Sequence, residues 1–168
     1  MIERNEITAQ CREYAGLAGE LLVSKHAHAS AAESLTGGMI SSLIVDVPGA
    51  SRWFSEGCVT YTDGAKARRL SIDPALIEAH TAVSRVVALK MAEGMRKTSG
   101  SDVSISVTGL AGPGPDEFGR PAGLVFVGGS IECGSVTKEL RLKGSREEIR
   151  LLTALEALKL LYKLAKLV

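Results

Sequence analysis

The sequence predicts a single α/β domain, residues 1–168, in which helices cover a mixed central sheet. Helical three- and four-residue spacings of apolar side chains alternate along the chain with short strand-like runs. The chain has 168 residues, of which 45% are hydrophobic, a size that suits one domain with a substantial core. Two adjacent strand patterns near the C-terminus predict a hairpin, so the sheet is expected to be mixed.

Each element is predicted from local signals. Apolar spacing predicts a first helix over residues 7–25, and the small-residue run at 27–33 predicts a buried strand. Ser84 and Ser145 are suitable N-caps for the two later long helices. The other predicted elements are helices at 39–47, 65–70, 74–79, 84 onward and 145–167, and strands at 57–61, 102–107, 123–129 and 135–142.

Composition and charge exclude several classes of protein. The chain carries 20 basic and 19 acidic residues, so it lacks the basic surplus of a dedicated nucleic-acid binder. No apolar run approaches the ~20 residues that span a bilayer, and the first residues lack the apolar core of a signal peptide. Three widely spaced cysteines indicate neither a disulfide framework nor a metal site. We therefore expect a cytoplasmic protein without a membrane or nucleic-acid partner.

A glycine-rich turn follows the first predicted strand. Ser34 stands between a strand end and a helix start, where α/β folds bind ligands outside the sheet. Free N–H groups at a helix N-terminus suit a phosphate or a developing oxyanion. The structural alternative is that Ser34 or Thr36 only caps the helix, and that Gly37 and Gly38 only form the turn.

A second glycine-rich loop, with Gly109, Gly112 and Gly114, follows the 102–107 strand. Neither loop matches a phosphate-binding P-loop or a dinucleotide fingerprint. Sheet geometry would place both loops at one edge, which favours a shared ligand site. The structural alternative is a long solvated connection with Asp116 and Glu117 at its tip, and we interpret those two acids as solvated rather than as metal ligands.

A nucleophilic serine needs a base, and the three histidines offer no clear one. Lys66 is the better candidate, because a desolvated lysine can lose its proton near neutral pH. Tyr61, five residues earlier, can relay a proton or hold the leaving group. The alternative for Lys66 is a solvated helix position beside two arginines. Arg146, before the last helix, is a candidate clamp for phosphate or carboxylate.

Together these segments resemble the CinA C-terminal domain family, whose stand-alone members include the PncC nicotinamide-nucleotide amidases. The matching stretches occur in family order from about residue 7 to residue 165. They are Ala32–Gly38, Gly49–Ser51 with Phe54, Gly57–Tyr61 with Lys66, Val83-Ser84 with Met91–Gly94, Thr108–Gly114, Pro121–Gly123, and Gly144–Arg146 with Ile149-Arg150.

The resemblance implies a three-layer α/β/α sandwich that hydrolyses the amide of nicotinamide mononucleotide without a metal or other cofactor. Carried over, Ser34 is the nucleophile, Lys66 and Tyr61 are its activating partners, and Glu33 is a supporting carboxylate. The implied ligand of the site is a small pyridine nucleotide. Its implied binding residues are Ser51, Thr108 and Arg146, with backbone donors from Thr36-Gly37-Gly38 and from the loop containing Gly109 and Gly112.

Three positions depart from the family pattern. Leu35 replaces a usual cysteine, Asp63 replaces a usual asparagine near Tyr61 and Lys66, and Thr81 replaces a usual glycine. Many members carry an N-terminal domain that has no counterpart in these residues, so nothing tied to it is carried over.

Two other functions stay open at this point. One is a non-catalytic nucleotide- or partner-binding module associated with competence or the DNA damage response; the other is an amidase for a different small amide. The last helix is also leucine-rich around more than one face, which predicts a homodimer or a higher assembly.

Overall fold

The structure, a computed structural model, describes residues 4–168. Six helices surround five strands. The helices are α1 (Arg4–Ser24), α2 (Met39–Val45), α3 (Asp63–Leu70), α4 (Pro74–His80), α5 (Arg85–Ser99) and α6 (Arg146–Ala165). The strands are β1 (Ala29–Glu33), β2 (Phe54–Val59), β3 (Val103–Gly109), β4 (Leu124–Ile131) and β5 (Gly134–Arg141), and a single 3-10 turn covers Ala50–Arg52.

The strands form one mixed sheet in the order β2-β1-β3-β4-β5. Strands β2, β1 and β3 are parallel, whereas β4 and β5 pair antiparallel as the predicted hairpin. The carboxyl ends of the three parallel strands therefore share one edge of the sheet. Strand β2 begins three residues before the predicted start, because Phe54 already pairs with Ala29 of β1.

Helices cover both faces of the sheet, which confirms the predicted three-layer sandwich. Helices α1, α2 and α6 enclose the larger core, in which Ile105 of β3 is fully buried. Helices α3, α4 and α5 cover the other face. There the hydroxyls of Ser104 and Ser106 donate to the carbonyl oxygens of Ala92 and Ala88 of α5, each at 2.6 Å.

Both predicted serine caps are present. The Ser84 hydroxyl accepts a hydrogen bond from the Val87 N–H at 3.2 Å. Ser145 forms a reciprocal capping box with Glu148 at the start of α6. These caps fix where the two long helices begin, and α6 begins at the sheet edge where the parallel strands end.

The leucines of α6 are covered within the chain, because this helix packs between α1 and the sheet. Leu155, Leu158 and Leu161 are buried, and Leu152 and Leu160 are partly buried. The leucine pattern is thus explained by two contacts within one chain, and it no longer supports the predicted homo-oligomer. Within residues 4–168, none of the helices is both long and apolar enough to cross a bilayer.

Candidate active site

A cleft of about 330 Å³ opens at the carboxyl edge of the parallel strands. Its walls are the segments that follow β1, β2 and β3, the loop before α5, and the start of α6. Most of the predicted site residues line it: Ser34, Tyr61, Lys66, Thr108, Gly109, Gly112 and Arg146.

Ser34 faces the cleft because side chains alternate between the two faces of a strand. Ala31 of β1 packs into the α1–α6 core, whereas Ala32 packs with the residues of α3, α4 and α5. Ser34 continues the direction of Ala32, and Glu33 continues that of Ala31. The Ser34 N–H donates to the carbonyl of Val107 at 3.1 Å, which ties the turn to the end of β3.

Lys66 reaches Ser34 from α3. The lysine is only 1% exposed, and its Nζ donates to the Ser34 Oγ at 3.4 Å. No carboxylate among the described residues forms an ion pair with this amine. Burial lowers the pKa of Lys66, and the negative charge of Asp63 opposes part of that effect. The solvated alternative for Lys66 is therefore wrong, and the amine is placed to accept the Ser34 proton.

Glu33 lies on the opposite face and is fully buried. Its Oε2 accepts from the Thr36 hydroxyl at 2.7 Å and from the N–H groups of Gly38 and Ile40 at 3.0 Å. Its Oε1 accepts from the N–H and hydroxyl of Ser41 at 2.8 and 2.7 Å. A carboxylate with five donors at the start of α2 is a helix-terminus anchor. Strand alternation turns it away from the face that Ser34 occupies.

Two of the three backbone donors expected from the first loop, those of Gly37 and Gly38, are used inside the protein. The Gly38 N–H and the Thr36 hydroxyl donate to Glu33, and the Gly37 N–H donates to the Ser34 carbonyl at 3.1 Å. None of these three residues lines the cleft. The capping alternative also fails, since neither Ser34 nor Thr36 caps α2. The Leu35 N–H has no acceptor among the described residues, and Leu35 lines the cleft.

Ser51 lies away from the cleft. It belongs to the 3-10 turn that leads into β2, and the first residue of β2, Phe54, pairs with Ala29 at the start of β1. In parallel strands the starts lie at the edge opposite the ends. This serine and Ser34 are therefore at opposite edges of the sheet.

Tyr61 and Arg146 form the mouth of the cleft. Tyr61 is 58% exposed, and its hydroxyl accepts from Arg146 Nη2 at 3.3 Å. A second nitrogen of the same guanidinium donates to the carbonyl of Gly112. Within the described chain, Tyr61 forms no hydrogen bond with Ser34 or Lys66, so its contact is with Arg146 rather than with the serine that it was expected to activate.

The second glycine-rich loop forms the opposite wall. Gly112 and Gly114 adopt φ values of 82° and 77°, a left-handed region that favours glycine. The Thr108 hydroxyl donates to the Ala82 carbonyl at 2.8 Å, which joins the end of β3 to the loop before α5. From the sequence, Asp116 was interpreted as a solvated residue at the tip of this loop. It instead lines the cleft and forms an ion pair with Arg120 at 2.6 Å.

Comparison with known families gives a match to the CinA C-terminal domain over residues 12–165. This chain belongs to the CinA C-terminal domain family. Relatives carrying the name competence-damage inducible protein include one from Clostridium botulinum strain Langeland, 42% identical over 138 residues, and one from Acetivibrio thermocellus, 43% identical over 143 residues. The matches cover 82% and 84% of this chain but 34% of each relative, so the chain spans about a third of their length.

Solved structures of CinA proteins have the same fold. A CinA superfamily protein from Klebsiella pneumoniae 700603 superposes with a TM-score of 0.89 at 25% identity, over 94% of this chain and 99% of the other. A competence/damage inducible protein from Agrobacterium tumefaciens gives 0.88 at 34% identity, over 92% and 95%. The resemblance derived from the sequence motifs is confirmed.

Arg150 of this CinA domain was not singled out by the sequence. From α6, its Nε donates to the Leu35 carbonyl at 3.0 Å and its Nη2 to the Thr36 carbonyl at 2.7 Å. These bonds hold the turn that carries Ser34. The family motif around residue 150 was the only sequence signal for this role, because Leu35 and Thr36 lie 115 and 114 residues before Arg150 in the chain.

Thr81 of the CinA domain has φ 61° and ψ 152°. This conformation strains a β-branched residue. The Thr81 hydroxyl accepts from Arg120 Nη1 at 2.7 Å, and the same nitrogen donates to the Val83 carbonyl at 2.7 Å. Arg120 thereby links the second glycine-rich loop to the strained segment.

No three His, Cys, Asp or Glu side chains within residues 4–168 lie close enough to share a metal ion.

Proposed function

We propose that this CinA C-terminal domain hydrolyses the carboxamide of nicotinamide mononucleotide, releasing ammonia and nicotinic acid mononucleotide, with Ser34 as nucleophile. The observation that carries the proposal is the buried amine of Lys66, 3.4 Å from the Ser34 Oγ in a cleft. The family resemblance supplies the substrate. A cleft of about 330 Å³ falls within the range of roughly 300–1,000 Å³ typical of small-molecule sites.

The first half-reaction acylates the serine. Neutral Lys66 takes the Ser34 proton as the Oγ attacks the carboxamide carbon, and the carbonyl electrons move to the oxygen. The free N–H of Leu35 is a donor for that oxyanion, in the position directly after the nucleophile. Collapse of the intermediate breaks the carbon–nitrogen bond, and the protonated amine of Lys66 gives its proton to the leaving ammonia.

The second half-reaction releases the acid. Lys66, neutral again, takes a proton from a water molecule as the water oxygen attacks the acyl carbon. The amine then gives that proton to the Ser34 Oγ as the bond between this oxygen and the acyl carbon breaks. The sum is amide plus water giving acid plus ammonia. A lysine suits both steps because burial lowers its pKa towards the pH at which it must exchange protons.

The phosphate of the nucleotide is assigned to Arg146. Its guanidinium is at the mouth, and its hydrogen bonds go to the uncharged Tyr61 hydroxyl and Gly112 carbonyl. Guanidinium groups bind phosphate through parallel charge-assisted hydrogen bonds. The reacting amide would then lie in the buried part of the cleft, and the phosphate at its exposed rim.

The test is ammonia release from nicotinamide mononucleotide. We expect turnover by the wild type and a loss of about 10³-fold or more in Ser34→Ala. Ser55→Ala, which removes an exposed hydroxyl from β2, is the matched control and should retain activity. Equal rates in the wild type and Ser34→Ala would exclude the serine mechanism. Nucleotide binding without any ammonia release would instead favour the non-catalytic binding module.

A further inference from the structure

Four charged side chains line the cleft: Asp63, Lys66, Asp116 and Arg146. Asp116 is neutralised by its ion pair with Arg120. Lys66 is buried, and its amine has Ser34 as its hydrogen-bond partner. Within residues 4–168, neither Asp63 nor Arg146 forms an ion pair. Apart from the buried Lys66 amine, the cleft therefore presents one unpaired negative and one unpaired positive charge to a ligand.

We propose that Asp63 binds the positively charged pyridinium ring of the substrate, so that the site selects the oxidised ring over a neutral dihydropyridine. The inference rests on the proposed function and adds a specificity-determining residue to it. A ligand with a cationic ring and an anionic phosphate matches the two unpaired charges in sign.

The position of Asp63 suits this role. It is the first residue of α3, one turn before Lys66, whose amine contacts the Ser34 Oγ. The carboxamide that Ser34 attacks lies only a few bonds from the ring nitrogen. A substrate placed for attack therefore holds its positive charge close to the start of α3.

Stabilisation of α3 does not occupy the hydrogen-bonding atoms of the Asp63 carboxylate. Acidic residues in the first turn often stabilise a helix through its dipole. Here the Thr62 hydroxyl caps α3 by accepting from the Ala65 N–H at 3.2 Å. The Asp63 carboxylate is exposed and accepts no hydrogen bond from any described residue, so it is free for a ligand.

The charge of Asp63 also bears on the product. Hydrolysis converts a neutral carboxamide into a carboxylate beside the ring. This new negative charge lies in the cleft that Asp63 lines, and like charges repel. Asp63 therefore favours the cationic substrate over the more negative product, which assists product release.

The experiment measures binding rather than rate, because the charge of Asp63 also raises the pKa of Lys66 and so affects the chemistry. Calorimetry compares Ser34→Ala with Ser34→Ala/Asp63→Asn, using nicotinamide mononucleotide and its reduced form with a neutral ring. We expect Asp63→Asn to weaken the binding of the oxidised nucleotide about fivefold to tenfold, and the binding of the reduced nucleotide by less than about twofold. The oxidised-form effect should shrink in high salt.

The control is Ser34→Ala/Glu117→Gln, which removes the same net charge from an exposed residue outside the cleft and should leave both affinities unchanged. The inference would be overturned if Asp63→Asn weakened the binding of both nucleotides equally or weakened neither. It would also be overturned if the oxidised nucleotide did not bind. Ammonia release by the wild type is read separately. Its absence alongside ring-selective binding would refute the proposed hydrolysis while supporting the role of Asp63.

Discussion

Two neighbouring residues at the end of β1, Glu33 and Ser34, differ in how many hydrogen bonds their side chains form on the two sides of the sheet. Glu33, on the α2 side, has five hydrogen-bond donors for its carboxylate. The Ser34 hydroxyl, on the cleft side, has one hydrogen bond, at 3.4 Å, with the buried amine of Lys66. Nearby, the carboxylate of Asp63 and the guanidinium of Arg146 have no ion-pair partner within the described chain.

This difference distinguishes a structural residue, Glu33, from a residue of the candidate active site, Ser34. A buried carboxylate with all its donors in place contributes stability and is costly to alter. An amine kept out of water with a single long hydrogen bond costs stability, and proteins retain such groups where chemistry needs them. The sequence made Ser34 a candidate nucleophile, and the family resemblance implied a supporting catalytic role for Glu33. Hydrogen-bond satisfaction distinguishes them.

Replacing Lys66 should have the largest effect. Lys66→Met removes the base, and we expect kcat to fall about 10³-fold or more while the fold is retained. In the wild type, kcat should rise with pH as the amine loses its proton. Ammonia release measured across pH checks both; a Lys66→Met enzyme that keeps the wild-type profile would remove lysine from the mechanism.

The free energy of unfolding should change with pH in the same direction as kcat, for a separate reason. Burial holds the pKa of folded Lys66 below its usual 10.5, so over that interval the unfolded chain binds the proton and the folded chain does not. The free energy of unfolding of the wild type should therefore rise with pH up to about 10.5. Lys66→Met should lack this rise in urea titrations at several pH values.

Replacing Glu33 comes next. Glu33→Gln puts an amide nitrogen against the N–H donors of α2, and we expect a loss of about 3 kcal/mol, or roughly 10 °C in Tm. Well below its Tm, the variant should retain most of its kcat. Ser41→Ala, which deletes one donor to the carboxylate, is the milder control. An unchanged Tm with lost activity would instead give Glu33 the supporting catalytic role that the resemblance implied.

The cleft side also carries backbone strain, and relieving it should have the smallest effect. Thr81→Gly suits φ 61° and should raise stability by about 1 kcal/mol, or roughly 2–4 °C in Tm. Thr81→Ser keeps the hydroxyl that accepts from Arg120 and should change Tm less. A lower Tm for Thr81→Gly would show that the bond to Arg120 outweighs the strain.

Local patterns predicted the fold well because they report on local structure. Ser84 and Ser145 were identified as caps, and the 123–129 and 135–142 runs gave the hairpin, from a few residues each. The candidate active site was harder to predict from local patterns. Ser34 and Lys66 are 32 residues apart, and the sequence left Lys66 as a candidate base with a solvated alternative until the structure placed the two in contact.

Some assignments needed the geometry of the sheet. Ser51 is close in sequence to β2, yet parallel pairing places it at the edge away from the cleft. The backbone donors expected at Gly37 and Gly38 are occupied, which no sequence pattern shows. Arg150 had no predicted role, since its partners lie more than a hundred residues away in the chain.

The serine bonds between β3 and α5 limit how this protein can change by mutation. Ser104 and Ser106 hold α5 by its main chain, and a Cβ at Gly128 would lie 2.5 Å from the Ala88 carbonyl oxygen. Larger side chains cannot enter this layer without moving the helix, and the loop before α5 would move with it. Laboratory evolution of new substrates should therefore accumulate changes at the cleft rim and leave this layer small and invariant.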